Sequence, residues 1–218
     1  MPISRLSLAD QIYIELKNDI ITQKIPCGER LTLKNLKEKF ATSSTPIREA
    51  ITRLAQDGLV DQISNIGAHV IQIDDQVIGN IYDMISVLDS FAIILAGEHG
   101  SEELRQDLEQ NMSNQKKAID YGDRTAYSKY SSQFHDIFYR YSQNPFLVEN
   151  ARKTGSLYGI ITNRYANYLL DDGLTCGEHC QIGETFLGGD IEGASNLMRA
   201  HFIHSKKAVL EQIRAAGE

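Results

Sequence analysis

Residues 31–70 read LTLKNLKEKFATSSTPIREAITRLAQDGLVDQISNIGAHV and show the spacing of two short helices, a tight turn between them and a following hairpin. The apolar residues at helical intervals are Leu33, Leu36 and Phe40 in the first helix, and Ile47, Ala50, Ile51 and Leu54 in the second. A short polar segment, residues 41–43, separates the two sets. This stretch therefore predicts a helix–turn–helix.

The ends of the second helix and the hairpin can be predicted from residue type. Thr45 is a good N-cap, Pro46 suits the first helical position, and Gly58 suits the end of the helix. The hairpin strands are predicted at residues 59–63 and 68–73, with the tip at residues 64–67. Upstream, residues 8–22 form an amphipathic helix with Ser7 as its N-cap. Together these elements predict a winged helix, whose second helix suits the DNA major groove.

The outer face of this segment carries side chains that can contact DNA. The predicted DNA-binding residues are Lys34, Ser43, Ser44, Thr45, Arg48, Arg53, Asn65 and Gly67. Short hydroxyls suit phosphate oxygens, and Arg48 suits a guanine edge. The alternative for Arg48 is a surface ion pair with its neighbour Glu49.

Three motifs in this region resemble the N-terminal domain of the GntR superfamily of transcriptional regulators. They are PCGERL at residues 26–31, SSTPIREA at residues 43–50 and RLAQDGLV at residues 53–60. The resemblance covers residues 8 to about 73 and implies a homodimer that binds pseudo-palindromic double-stranded operator DNA. Family members commonly carry arginine after the turn serine, where this chain has Ser44, so their operator sequence does not transfer to it.

The composition, 42% hydrophobic and 23% charged over 218 residues, is that of an ordinary globular protein. No segment is expected to cross a membrane, no secretory signal is evident, and three cysteines (Cys27, Cys176 and Cys180) fit a reducing compartment. These features predict a cytoplasmic protein without a membrane partner. The net charge is −7, yet residues 1–73 hold nine Lys and Arg against eight Asp and Glu. The excess acid therefore lies in the part that is not expected to contact DNA.

The second part of the chain is helical almost throughout, and residues 171–177 are predicted as a loop. Its six predicted helices cover residues 77–98, 101–121, 124–141, 144–170, 178–187 and 190–215. The expected fold is mainly α: an N-terminal winged helix-turn-helix with a small β-hairpin wing, and a C-terminal all-α bundle of about six helices. The predicted domains are residues 1–73 for DNA binding, residues 74–79 as linker and start of the first bundle helix, and residues 80–218 for effector binding and dimerisation.

This bundle resembles the C-terminal effector domain of the FadR branch of the same superfamily. The resemblance rests on Phe134-His135, NPFL at residues 144–147, Glu178-His179, and Ala194, Met198 and His201 at a fixed spacing. It implies a small-molecule effector and a divalent metal held by His135, His179 and His201 together with a carboxylate. In this chain Ser131 stands at the position of that carboxylate. A site of three imidazoles without a carboxylate favours Zn²⁺ or Ni²⁺ over harder ions. Ser131 and Arg164 are candidate effector-binding residues.

Several alternatives remain open at the level of sequence. The three histidines could bind an effector directly, without a metal. Cys176 and Cys180 share a helix face and could bind Zn²⁺, although buried thiols are a simpler interpretation. In the family an arginine stands four residues before the acidic position that corresponds to Asp89; here it is Ile85, and Arg152 or Arg164 could replace it.

Two functions are compatible with these residues. The first is a ligand-responsive transcriptional regulator, by analogy a repressor, without enzymatic activity. The alternative is a metal-dependent hydrolytic enzyme that uses the three-histidine site to activate water, with Glu178 as general base.

Overall fold

The computed structural model describes residues 6–63, 67–165 and 172–216. Helices dominate this part of the chain, and a small sheet lies near its N-terminus. The elements are α1 (Leu8–Ile21), β1 (Arg30–Leu31), α2 (Leu33–Phe40), α3 (Ser44–Gln56), β2 (Val60–Ile63), β3 (Gly67–Val70), α4 (Asp75–Glu98), α5 (Glu102–Asp120), α6 (Arg124–Tyr141), α7 (Pro145–Arg164), α8 (Asp172–Leu187) and α9 (Ile191–Ala216). The predicted fold class is confirmed.

The chain divides into two compact units. One comprises Met1–Val77 with Gly155–Ala166, and the other comprises Ile78–Thr154 with Asn167–Glu218. Residues 155–166 are predicted to belong to the second domain because they continue a helical pattern. In the structure this part of α7 packs in the first unit, where Gly159 faces the side chain of Ile21. The predicted domain limits stay a prediction.

The first unit is a winged helix built on α1 and α3. Ser7 caps α1, as predicted, and Asp10 completes a reciprocal capping box with it. The core of the unit includes Ile12, Leu16 and Ile20 from α1, and Ile47 and Leu54 from α3. Burying each of these side chains contributes about 1.5–3 kcal/mol, so α1 holds α3 in place from its inner side.

The wing contains a third strand that the sequence analysis missed. The three strands are antiparallel in the order β1-β3-β2, and Arg30 of β1 pairs with His69 of β3. The strand β1 has two residues, too few to show the alternation that indicates a strand. The hairpin itself is confirmed, although β3 ends at Val70 rather than at residue 73, and most of its tip lies outside the described residues.

The helix α3 starts two residues earlier than the sequence predicts. The helix begins at Ser44 with Ser43 as its N-cap, so the prediction of Thr45 as the cap and Pro46 as the first helical residue is wrong. Proline is tolerated at the third position because the amides of the first turn have no intrahelical acceptor. Ser43 makes no side-chain capping hydrogen bond, and the residue is exposed.

The six helices predicted after the winged helix are confirmed as α4–α9, and two of their ends differ from the prediction. The helix α8 begins at Asp172, so the prediction of a loop up to residue 177 is wrong. Glycines at residues 173 and 177 suggested a loop, yet the helix continues because it buries Cys176, His179 and Cys180. The helix α7 ends at Arg164, and residues 166–171 lie outside the described residues.

One helix corrects the expectation that no segment is long and apolar enough to cross a membrane. The helix α4 has 24 residues and is long and apolar enough to cross a membrane by length and composition alone. It carries buried Asp89 and Ser90, and both make polar contacts with other helices of the bundle. We therefore interpret α4 as a core helix of the second unit.

Candidate metal centre and nucleic-acid interface

Three helices bring the predicted histidines together. His135 projects from α6, His179 from α8 and His201 from α9, and the possible ligand atoms of the three rings lie within 4.8 Å of one another. His179 and His201 are buried, and His135 retains 19% of its side-chain exposure. We call this group the histidine cluster. Among the described residues, it is the group of side chains that could hold a metal ion.

Each ring of the cluster uses Nδ1 to contact an acceptor oxygen. The pairs are His135 with Asp89 Oδ2 at 2.5 Å, His179 with Gln115 Oε1 at 2.9 Å, and His201 with Glu178 Oε2 at 2.6 Å. A neutral imidazole that donates from Nδ1 carries its lone pair on Nε2. The three Nε2 atoms are therefore available as ligands, and the Nδ1 partners fix the orientation of each ring.

The orientation of Gln115 follows from a chain of hydrogen bonds that ends at a backbone carbonyl. The carbonyl of Tyr130 can only accept, and Asn111 Nδ2 donates to it at 3.0 Å. Asn111 Oδ1 then accepts from Gln115 Nε2 at 2.8 Å, which leaves Gln115 Oε1 as the atom that faces His179. His179 must therefore donate from Nδ1. The backbone of α6 thus determines the tautomer of the most buried histidine.

Burial favours the neutral form of two of these rings, those of His179 and His201. It lowers the pKa of His179 well below its ordinary value, and the neighbouring His135 and His201 lower it further. Burial also lowers the pKa of His201, although Glu178 opposes this shift. The Nε2 atom of His179 is buried without a hydrogen-bond partner in the described part of the structure. Because buried polar atoms normally have a partner, this orphaned lone pair fits a bound ion.

The carboxylates near the cluster contact the imidazole rings on the Nδ1 side. Asp89 comes from α4, and its other oxygen accepts a hydrogen bond from Tyr139. Glu178 accepts from both His201 and the exposed His204, at 2.6 and 3.0 Å. The site predicted from sequence includes neither Asp89 nor Gln115. A carboxylate in the middle of an apolar helix was the signal for Asp89, since such residues are seldom buried without a partner.

The two cysteines of α8 have the properties of buried thiols. Cys176 and Cys180 are buried and free, one turn apart on the helix. Burial, with Cys180 as a neighbour, raises the pKa of Cys176 to about 11. Because the thiolate is the form that binds metal, a raised pKa disfavours Cys176 as a ligand at neutral pH.

The two candidate effector residues lie in different units. Ser131 is half-buried on α6, one helical turn before His135, in the second unit. Arg164 lies in the last turn of α7, in the first unit, with its guanidinium 5.2 Å from the ring of Tyr165. The cluster belongs to the second unit, so Ser131 is the candidate that shares a unit with it.

Most of the predicted DNA-binding side chains that the structure describes lie on the surface. Lys34, Ser43, Thr45, Arg48 and Gly67 are exposed, and Ser44 is half-buried. Asn65 lies outside the described residues. Gly67 has a φ of 111°, a left-handed conformation that glycine adopts without strain at the base of the hairpin tip.

Arg53 has a different environment from the other predicted DNA contacts. Its guanidinium pairs with Asp10 at 2.5 Å and lies 4.2 Å from the centre of the Tyr13 ring. Both partners belong to α1. Arg53 therefore links α3 to α1, which argues against a direct contact of its guanidinium with DNA.

Two protein-family models match the chain. Residues 8–70 match the model of bacterial regulatory proteins of the gntR family, and residues 80–204 match the FCD domain. The two matches coincide with the winged helix and with most of the helical bundle, and the FCD match alone covers more than half of the chain.

Curated relatives and solved structures agree with these matches. The gluconate operon transcriptional repressor of Bacillus licheniformis is 30% identical over 146 residues, which are 67% of this chain and 60% of that protein. The chain thus spans less than two thirds of that relative. The uncharacterized HTH-type transcriptional regulator YdhC of Bacillus subtilis is 28% identical over 208 residues, 93% of this chain and 92% of YdhC.

The structure of E. coli McbR/YncC has the same fold, with a TM-score of 0.75, 21% identity, and coverage of 95% of this chain and 99% of that one. A GntR regulator from Rhodococcus sp. RHA1 gives a TM-score of 0.72 at 17% identity, covering 94% and 99% of the two chains. The chain belongs to the gntR family of bacterial regulatory proteins and carries an FCD domain after its winged helix.

Proposed function

We propose that this chain is a ligand-responsive, DNA-binding transcriptional regulator, and by analogy with its relatives a repressor. The proposal rests on one combination: a winged helix with an exposed polar end on α3, and a separate helical unit in which three imidazoles converge. The first feature suits an operator, and the second suits a small ligand. An effector regulates DNA binding when it binds two states of the protein with different affinity.

The histidine cluster is proposed to hold one divalent metal ion through His135, His179 and His201. Three neutral imidazoles favour Zn²⁺ or Ni²⁺, since carboxylates suit Mn²⁺ better and Ser131 offers none. When bound, the ion supplies a Lewis acid that can hold an oxygen atom of the effector. The chain's own contribution is to orient the rings through Asp89, Gln115 and Glu178.

The effector is proposed to be a small organic acid or a similar polar metabolite. Ile85 stands where related proteins often carry an arginine, so this chain cannot pair an effector carboxylate at that position. Coordination to the ion is then the main source of affinity for a carboxylate. Gluconate is a reasonable first compound to test, because it combines a carboxylate with hydroxyls and one relative is named as a gluconate operon repressor.

A gel-shift assay tests the proposed function. The full chain, loaded with Zn²⁺, is mixed with the DNA upstream of its own gene and separately with unrelated DNA of the same length. We expect a salt-sensitive complex that prefers the upstream DNA, because phosphate contacts release counterions. Gluconate and other small carboxylates are then added, and a change in the fraction bound identifies an effector. Equal affinity for both DNAs would contradict the proposal.

We propose that the chain forms a homodimer through an exposed apolar surface of α4. Met84, Val87 and Phe91 are 53%, 55% and 44% exposed and recur at one-turn intervals, so they form an apolar stripe. A second copy is the occupant we propose, since two-fold proteins use one self-complementary patch and bind operators as paired half-sites.

Placing a charge in this stripe should separate the subunits. We expect Val87→Lys to shift the protein toward a monomer in sedimentation velocity and to weaken binding to the upstream DNA, because a lysine would be buried without a partner. Ser128→Lys, at an exposed position of α6, is the matched control. A dimer of unchanged strength in Val87→Lys would exclude this surface.

Hydrolysis is not proposed. Glu178, the candidate general base, accepts hydrogen bonds from His201 and His204, so both of its oxygens have partners. Cytoplasmic localisation agrees with relatives that are transcriptional regulators and stays a prediction.

A further inference from the structure

Asp89, a buried carboxylate on α4, contacts the proposed metal ligand His135 at its ring nitrogen Nδ1. Asp89 is 2% exposed and accepts two hydrogen bonds from α6, one from His135 Nδ1 at 2.5 Å and one from the hydroxyl of Tyr139. His135 and Tyr139 are four residues apart and therefore share a face of α6. Both oxygens of the carboxylate are thus engaged by donors of a single helix.

The same face of α6 carries Ser131 one turn before His135. A carboxylate at that position would lie beside the imidazole as a second ligand, and the serine removes that negative charge. Asp89 lies on the other side of the ring, against Nδ1, and its charge reaches Nε2 through the imidazole. A carboxylate that accepts from Nδ1 increases the basicity of the other nitrogen and fixes the tautomer.

Tyr139 keeps Asp89 in this position. Its hydroxyl donates to Oδ1, which leaves Oδ2 to face His135. Burial, followed by the nearby charge of Asp89, raises the pKa of Tyr139, so the phenol remains a donor over the physiological pH range. Tyr139 is therefore a stable anchor for the carboxylate.

We infer that Asp89, anchored by Tyr139, is a positioning residue that makes His135 present Nε2 to the cluster and supplies the negative charge that Ser131 does not. This inference rests on the proposed metal site for its consequence, since the ion is the group that uses the lone pair. The hydrogen-bond geometry itself belongs to the metal-free protein and can be tested there.

The first measurement is the tautomer of His135 in the full-length, metal-free protein labelled with ¹⁵N-histidine. Long-range ¹H–¹⁵N spectra distinguish Nδ1–H from Nε2–H, and a His135→Gln sample assigns the signal. We expect Nδ1–H in the wild type. In Asp89→Asn the new amide can donate to Nδ1, so a substantial population should shift to Nε2–H. Asp83→Asn is the matched control, because Asp83 is an exposed acid of the same helix that pairs with Lys206.

The second measurement is the affinity for Zn²⁺ by competition with a chromophoric chelator. Loss of a partner to a ligating histidine typically costs 10–100-fold in metal affinity. We expect a loss of about 10–100-fold in Asp89→Asn, a smaller loss in Tyr139→Phe, and no change in Asp83→Asn. Co²⁺ substitution gives a spectroscopic check, since an altered ligand field changes the visible bands while a loss of global stability does not.

The outcomes separate the two proposals. An Asp89→Asn protein with the wild-type tautomer and wild-type Zn²⁺ affinity would overturn the inference. A wild-type protein that shows the Nδ1–H tautomer, loses it in Asp89→Asn, and binds no Zn²⁺ would contradict the metal site and support the positioning role. If Asp89→Asn does not fold, as judged by circular dichroism, Tyr139→Phe decides: an unchanged tautomer and affinity would overturn the inference.

Discussion

Replacing His179 with alanine is expected to abolish stoichiometric Zn²⁺ binding. The side chain is 1% exposed, and its Nε2 is one of three that converge in the cluster. Two imidazoles without a carboxylate leave the ion short of protein ligands, because protein zinc sites use at least three. The loss should exceed the roughly 10–100-fold effect of removing an outer partner. Elemental analysis of purified protein, followed by chelator competition, measures it.

The control for this experiment is His99→Ala. His99 is exposed at the end of α4, so its removal tests for a general effect of losing an imidazole. We expect His99→Ala to retain one Zn²⁺ per chain. Metal at background level in both the wild type and His179→Ala would show that the cluster is not a metal centre, and direct effector binding by histidines would then be the better interpretation.

Replacing Arg48 with alanine is expected to weaken operator binding by about 1–3 kcal/mol, roughly 5- to 150-fold, and to relax specificity at one base pair. Arg48 is exposed on α3, outside the buried face formed by Ile47, Ala50 and Leu54. A bidentate contact to guanine is lost, while the fold is kept because the arginine is not part of the core. Fluorescence anisotropy on the upstream DNA and on single-base variants measures both effects.

Lys129→Ala is a suitable control, because it removes one exposed cation from α6 in the second unit. A loss of equal size in both variants would mean that only net charge matters. Wild-type affinity and an unchanged footprint in Arg48→Ala would refute its role in base recognition, and a surface pair with Glu49 would become the better account of this residue.

Apolar periodicity in the sequence predicted the helices α1, α2 and α3 and the six bundle helices. The wrong predictions concern the ends of helices and segments whose sequence pattern is weak. The start of α3 at Ser44 was missed because serine and threonine are both good caps and the local sequence does not choose between them. The first turns of α8 were missed because two glycines outweighed the burial of Cys176 and His179. Residue propensity is a weak prior against packing.

The three histidines of the site came from a resemblance over residues far apart in the chain, and the fold brings them together. Their partners could not be derived in that way. Asp89 and Gln115 lie on two other helices, and nothing in their local sequence indicates which ring they contact. Hydrogen bonds between helices depend on crossing angles and register, which come from packing many side chains at once.

The sequence by itself therefore determined the kinds of element and the order of the two regions, which depend on local spacing and residue chemistry. The three candidate imidazole ligands came from the resemblance to the FadR branch. Only the tertiary structure decided which nitrogen of each histidine faces its hydrogen-bond partner. It also decided that Asp89 contacts Nδ1 of His135, while Ser131 lies one turn before His135 on the same helix. Finally, it decided that Arg53 pairs with a residue of α1. Such choices require atoms placed within a few ångströms of each other by helices that are distant in sequence.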